Sequence, residues 1–287
     1  MAMAEHGERR PGGSGTGWRA LIADDMSGTR LQLAVALRAF DPRITIIEAE
    51  SGREAVEAML RERPEVAFLS LQLPDMTGAE AVAVARMREV KPLTILMSSM
   101  VMPRWVELST ELEAYEFLKK PFDPDHVVEL LRAARRILAP ARALLVEPSA
   151  PARQVVRRML ANSRFNLEID DVEDARHSLK LMRLTSYDLV VVDASLSGGN
   201  GLEVACQARE VSPQTRILLT AGGGDMARHA SAAKQFGIAA LLAKPFYPRD
   251  VDVALHAAFD LRRPYLLNAI RKVATAAAVQ PGKMAAR

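Results

Sequence analysis

Phe117-Leu118-Lys119-Lys120-Pro121-Phe122 returns later in the chain as Leu241-Leu242-Ala243-Lys244-Pro245-Phe246. Each copy is an apolar run that ends in lysine, proline and phenylalanine, and the two lysines stand 124 residues apart. Working outward, Arg19-Ala20-Leu21-Ile22-Ala23 returns as Arg142-Ala143-Leu144-Leu145-Val146, and Val66-Ala67-Phe68-Leu69 as Leu189-Val190-Val191-Val192, both 123 residues later. A period near 120 residues is too long for a solenoid and suits two tandem copies of one domain. The length agrees, because 287 residues at roughly 150 per domain give two.

Within each copy, short apolar runs alternate with stretches of helical periodicity. Residues 20–23, 44–49, 66–69, 93–97 and 115–118 read as strands, and residues 144–146, 166–170, 189–192, 216–220 and 240–242 repeat them. Between them, Leu33/Leu37, Ala55/Met59, Ala81/Val84/Ala85 and Val127/Leu130/Leu131 stand one helical turn apart. Five strand-then-helix units predict an α/β domain with a parallel sheet covered on both faces, and functional loops at the carboxyl ends of the strands. The expected organisation is a disordered tail over 1–17, domain 1 over 18–138 and a linker over 139–141. Domain 2 covers 142–263 and a basic extension 264–287, with an amphipathic helix expected over 265–278. So brief a linker predicts domains held close together.

Composition narrows the class. Apolar residues make up 49% and charged residues 25%, as in ordinary globular proteins. No apolar run approaches the roughly 20 residues of a membrane span, and the N-terminus has no apolar signal region. The single cysteine, Cys206, excludes an intrachain disulfide, and the five histidines lack metal-ligand spacing. A cytoplasmic protein is expected. The net charge of +3 is local: residues 262–287 carry six basic side chains and no acid, leaving 32 basic against 35 acidic residues elsewhere. Six scattered cations are too few for a sequence-reading nucleic-acid module.

Chemistry collects at the predicted strand ends. In the first copy these carry Asp24-Asp25, Ser70, Ser98 and Lys120; in the second they carry Glu147-Pro148, Asp193, Thr220 and Lys244. Asp24 to Ser70 and Glu147 to Asp193 are both 46 residues. Carboxylates, a hydroxyl and a lysine at the mouth of a parallel sheet suit a phosphoryl group with a divalent cation.

These residues resemble the response-regulator receiver domain of bacterial two-component signalling, over about 18–138 and 142–263. The resemblance implies two flavodoxin-like (βα)5 domains and Mg²⁺-dependent phosphoryl transfer from a phosphohistidine to an aspartate. By the same resemblance Asp193 is the phosphoacceptor of domain 2, and Thr220, Lys244, Ser98 and Lys120 contact phosphate or read its presence. Mg²⁺ would draw on Glu147, Asp193, Ser195, Asp24 and Asp25. Each copy lacks a different part of this set. Ser70 stands at the acceptor position of domain 1, where serine cannot form an acyl phosphate, and Asp75 is displaced into the next loop. Pro148 replaces the second acid of domain 2, so weakened metal binding is expected in both.

Simpler readings stand beside these. Asp24-Asp25 alone is a solvated turn, and Lys-Pro-Phe alone is a strand-to-helix turn; the shared register lifts both above that. Ala221-Gly222-Gly223-Gly224-Asp225 faintly resembles a diguanylate cyclase signature but reads as a flexible loop, and Cys206 as a small buried apolar residue. Met100-Val101-Met102 with Trp105 is either a contact surface or packing within the chain. The expectation is a non-enzymatic response regulator without an output domain, phosphorylated on Asp193 and acting through protein contacts, with domain 1 as a docking or dimerisation pseudo-receiver. Expected partners are a sensor histidine kinase or histidine phosphotransfer protein, a downstream protein and a second copy, without membrane insertion. The rival is an adaptor independent of phosphorylation; a nucleic-acid or second-messenger binder using the arginine-rich tail is weaker.

Overall fold

The structure, a computed structural model, describes residues 17–100, 107–109, 111–196, 201–264 and 266. Domain 1 contains β1 (Arg19–Ala23), α1 (Ser27–Phe40), β2 (Thr45–Ala49), α2 (Gly52–Glu62), β3 (Val66–Ser70), α3 (Gly78–Met87), β4 (Leu93–Ser98), β5 (Glu116–Lys119) and α4 (Pro124–Leu138). Domain 2 contains β6 (Ala141–Val146), α5 (Ala150–Ala161), β7 (Leu167–Val172), α6 (Ala175–Leu184), β8 (Leu189–Asp193) and α7 (Gly201–Val211). It continues with β9 (Arg216–Gly222), a 3₁₀ turn (Gly223–Asp225), α8 (Met226–Phe236), β10 (Ala240–Lys244) and α9 (Pro248–Ala258). The parallel sheets run β2-β1-β3-β4-β5 and β7-β6-β8-β9-β10, the doubly wound order expected for two flavodoxin-like domains.

Burial explains the strands. Every residue of β3 and β8 is buried, as strands covered by helices on both faces require. The edge strand β7 is partly exposed and carries Glu168, Asp170 and Asp171, charges that oppose pairing with another chain. Local chemistry sets several helix starts. Ser51 caps α2 through the Glu54 amide at 3.2 Å, and Thr77 and Glu80 form a reciprocal capping box on α3.

A few boundaries move. Ala141 opens β6, which leaves Ala139 and Pro140 between the last helix of domain 1 and the first strand of domain 2. The last helix of domain 2 stops at Ala258, and Asp260 follows with φ 53°. Ala221 and Gly222 are strand and Gly223–Asp225 is a 3₁₀ turn, so the glycine-rich stretch is ordered structure and not a loop. Cys206 is half-buried. Val101, Met102 and Trp105 lie outside the described residues, as does the helix expected over 265–278 apart from Leu266.

The two domains share a core. One apolar cluster runs from β1, β3 and α4 of domain 1 to Leu160, Phe165, Ala254, Leu255 and Ala258 of domain 2. Across the boundary the Tyr115 hydroxyl lies 3.1 Å from His256 Nε2, and His256 Nδ1 lies 2.7 Å from the Asp252 carbonyl oxygen. Arg164 donates to the Glu113 and Ala114 carbonyls at 3.0 and 3.3 Å, and the Arg136 guanidinium stacks 3.9 Å from the Phe259 ring centroid. Past α9 the chain returns to domain 1: Arg262 pairs with Glu129 at 2.8 Å, and Leu266 is buried beside Ala114 and Phe117.

Candidate functional site

In domain 2 the end of β8 delivers Asp193, 5% exposed, and the end of β6 leads directly into Glu147, 3% exposed. Lys244, the last residue of β10, reaches across to both. Its Nζ donates to Glu147 Oε2 at 2.6 Å and is in direct contact with Asp193 Oδ2. Asp193 Oδ1 accepts from the Ser195 amide at 2.6 Å, and Glu147 Oε1 from the Ser149 amide at 3.1 Å. Burial pushes the Asp193 carboxyl up, but the Lys244 ammonium and the Ser195 amide outweigh it and hold Asp193 below the ordinary carboxylate range. Burial likewise opposes the Lys244 charge, and the hydrogen bonds to the two carboxylates hold its pKa above the usual lysine value. Asp193 is thus an ionised carboxylate beside a cation able to hydrogen-bond an anionic oxygen.

Domain 1 assembles the same frame without the nucleophile. Lys120 Nζ donates to Ser70 Oγ at 3.1 Å, and Ser70 Oγ donates to the Gln72 carbonyl at 2.9 Å. Lys120 also makes an ion-pair contact with buried Asp24 Oδ2, off the angle of a hydrogen bond. Asp24 lies under the mouth and Asp25 faces solvent. Asp75 is no substitute acceptor: its carboxylate accepts from the Gly52 and Arg53 amides at 2.7 and 3.0 Å and so caps α2.

Strand register corrects one expected equivalence. β3 pairs Ser70 with Met97, and β8 pairs Asp193 with Thr220. β4 pairs Ser98 with Lys119, and β9 pairs Ala221 with Ala243, the residues just before the two lysines. Ala221 therefore occupies the Ser98 position, and Thr220 matches Met97. Side chains alternate along a strand, so Thr220 projects to the same face as Leu218, opposite to Ala221 and Ser98. The offset of 123 already placed Ser98 on Ala221; the extra residue that makes it 124 at the lysines lies in the connection after β9.

Two supporting residue pairs escaped the sequence reading. Arg30 Nη1 donates to the Asp24 carbonyl at 2.9 Å and Nε to Glu48 at 3.0 Å; Arg153 Nη1 donates to the Glu147 carbonyl at 2.6 Å, with Nε 3.2 Å from Asp171. Each arginine fixes the backbone that carries the first acid. Gly78 and Gly201 open the helices after the acceptor strands, where a Cβ would stand 2.2 Å from the Ser70 and Asp193 carbonyl oxygens. Both pairs keep the offset of 123, which was the available signal.

The carboxylates fit the implied Mg²⁺ poorly. Each copy offers two acids at its mouth, and among the described residues no group of three His, Cys, Asp or Glu side chains could hold a metal ion. Pro148 supplies no side-chain oxygen, and Ser195 points its amide at Asp193.

This fold and mouth define the class: a tandem doubly wound α/β domain protein with acid and lysine side chains gathered at the carboxyl ends of its strands. The response regulator receiver domain family matches residues 20–132 and 143–256, and the chain belongs to that family. The chemotaxis protein CheY of Listeria monocytogenes is 30% identical over 118 residues, 41% of this chain and 98% of that protein. A response regulatory protein of Shewanella oneidensis is 27% identical over 197 residues, 69% of this chain and 73% of that one. A solved structure described as a putative two-component system response regulator/GGDEF domain protein superposes with a TM-score of 0.60. It covers 85% of this chain and 98% of that chain at 20% identity, which shows the fold alone. Receiver domains of this family act in two-component signalling, generally bind Mg²⁺ at the phosphorylation site and interact with histidine kinases or phosphotransfer proteins. Among the described residues no helix is long and apolar enough to cross a membrane.

Proposed function

We propose that the chain receives a phosphoryl group on Asp193 of domain 2, while domain 1 serves as a docking unit that cannot be phosphorylated at Ser70. The carrying observation is the buried Asp193 carboxylate held against Lys244 at the mouth of the second sheet. In the step envisaged, an Asp193 oxygen attacks the phosphorus of a phosphohistidine on a donor protein and forms an acyl phosphate. The P–N bond breaks with its electron pair going to the imidazole nitrogen, which is neutral on leaving or takes a proton from solvent. Lys244 stays protonated and follows the charge onto a phosphoryl oxygen. With two carboxylates and Pro148 in place of a third, Mg²⁺ support is weak. The protein acts by contact with other proteins and not as an enzyme on external substrates.

A second reading, an adaptor independent of phosphorylation, is favoured by Ala221 at the position of Ser98, which removes the hydroxyl that would read a phosphoryl group. Sedimentation with and without a phosphohistidine donor separates the two. The acceptor reading expects a donor-dependent change in wild type that Asp193→Asn abolishes; identical behaviour of both proteins supports the adaptor.

A further inference from the structure

The exposed face of α6 carries Arg176, Lys180 and Arg183 at intervals of four and three residues, a cationic ridge about 10 Å long. None of the three has an ion pair among the described residues, whereas Arg142, Arg153 and Arg157 of the same domain are all paired with aspartates. The ridge works against the helix that bears it. Like charges one turn apart repel, and Arg176 sits in the first turn, where the helix dipole disfavours a cation. Leu179, half-buried, and Leu184, 73% exposed, flank the three cations on the same helix surface. The matching positions of α2 are Arg53, Glu57 and Leu60, so the ridge belongs to domain 2 alone.

We propose that this face docks an acidic amphipathic segment of a partner protein. Carboxylates of the segment meet Arg176, Lys180 and Arg183, and an apolar side chain packs against exposed Leu184. Charge complementarity names the acid, and Leu184 names the apolar anchor. A nucleic acid fits less well, because α6 carries no Phe, Tyr or Trp on which bases could stack, whereas exposed Leu184 offers an apolar anchor. The surface lies on the helix after β7 and is independent of the chemistry at Asp193.

Fluorescence anisotropy of the full chain with a labelled helical peptide of alternating glutamate and leucine turns tests this. Binding is expected to weaken as salt rises, and the triple variant Arg176→Ala, Lys180→Ala, Arg183→Ala is expected to lose at least about tenfold in affinity. Leu184→Ala is expected to lose severalfold, and Arg53→Ala none. Lys180→Glu should regain affinity for a peptide with one glutamate replaced by lysine, which keeps the test independent of any folding defect. Unchanged affinity in the triple variant overturns the proposal. So does tighter binding, through the same three cations, of labelled single-stranded DNA or of phosphatidylserine vesicles.

Discussion

Asp193 and Ser70 occupy the same strand end in two copies of one fold, and the difference of a carboxylate divides their roles. Each lysine contacts both residues that face it, yet only in domain 2 are both of these acids. Lys244→Ala would leave two buried carboxylates without a counter-charge. The Asp193 carboxyl is then expected to rise towards a protonated, non-nucleophilic form, measurable as a raised Asp193 pKa by NMR. Gly201→Ala would drive a Cβ into the Asp193 carbonyl and is expected to cost roughly 1–3 kcal/mol, read from the urea midpoint. At this scale the acids, Asp193 and the lysines were legible because residue type and spacing carry their chemistry. Thr220 misled because hydroxyl identity says nothing about which face of a strand it takes; Ala221, one residue on, is the position that keeps the offset of 123 from Ser98.

Elements were easier to read than their ends. Continuous apolar runs marked inner strands such as β3 and β8, since a strand buried on both faces has no alternative composition, while the half-exposed edge strands β2 and β7 were read from the strand-helix alternation. The ends moved because polar residues such as Ser70 and Asp193 continue the ladder once neighbouring strands supply partners. Asp75 shows the limit more sharply: its role is to receive the α2 amides, a contact 22 and 23 residues away that no local pattern announces. Capping is testable at this scale. Thr77→Ala removes half of the reciprocal cap on α3 and is expected to cost about 1 kcal/mol by chemical denaturation, without altering the domain 2 site.

The whole molecule behaves as one body because its two cores are continuous through α4, Phe165 and α9. Such packing was not legible, as Tyr115, Phe165 and His256 belong to no motif, and Tyr115 meets His256 across the domain boundary while Phe165 packs on His256. Phe165 is buried edge-on to His256 and stacked with Phe259, so Phe165→Ala is expected to cost about 3–5 kcal/mol. Calorimetry should then resolve two unfolding transitions where wild type shows one. His256 adds a pH dependence. Burial, with Arg164 and Arg263 nearby, lowers its pKa from 6.5 to about 4, so the folded protein binds fewer protons than the unfolded chain between those values. The contribution is therefore complete above about pH 6.5 and is lost as pH falls towards 4, to the extent of about 3 kcal/mol. His256→Gln should flatten that part of the stability profile.

The division of labour between the two domains is tested most directly by intact-mass analysis after incubation with a small acyl-phosphate donor. Wild type and Ser70→Ala are predicted to gain one phosphoryl group, mapped by peptide analysis to Asp193, and Asp193→Asn to gain none. Equal incorporation into Asp193→Asn, or a modified peptide from domain 1, would contradict it.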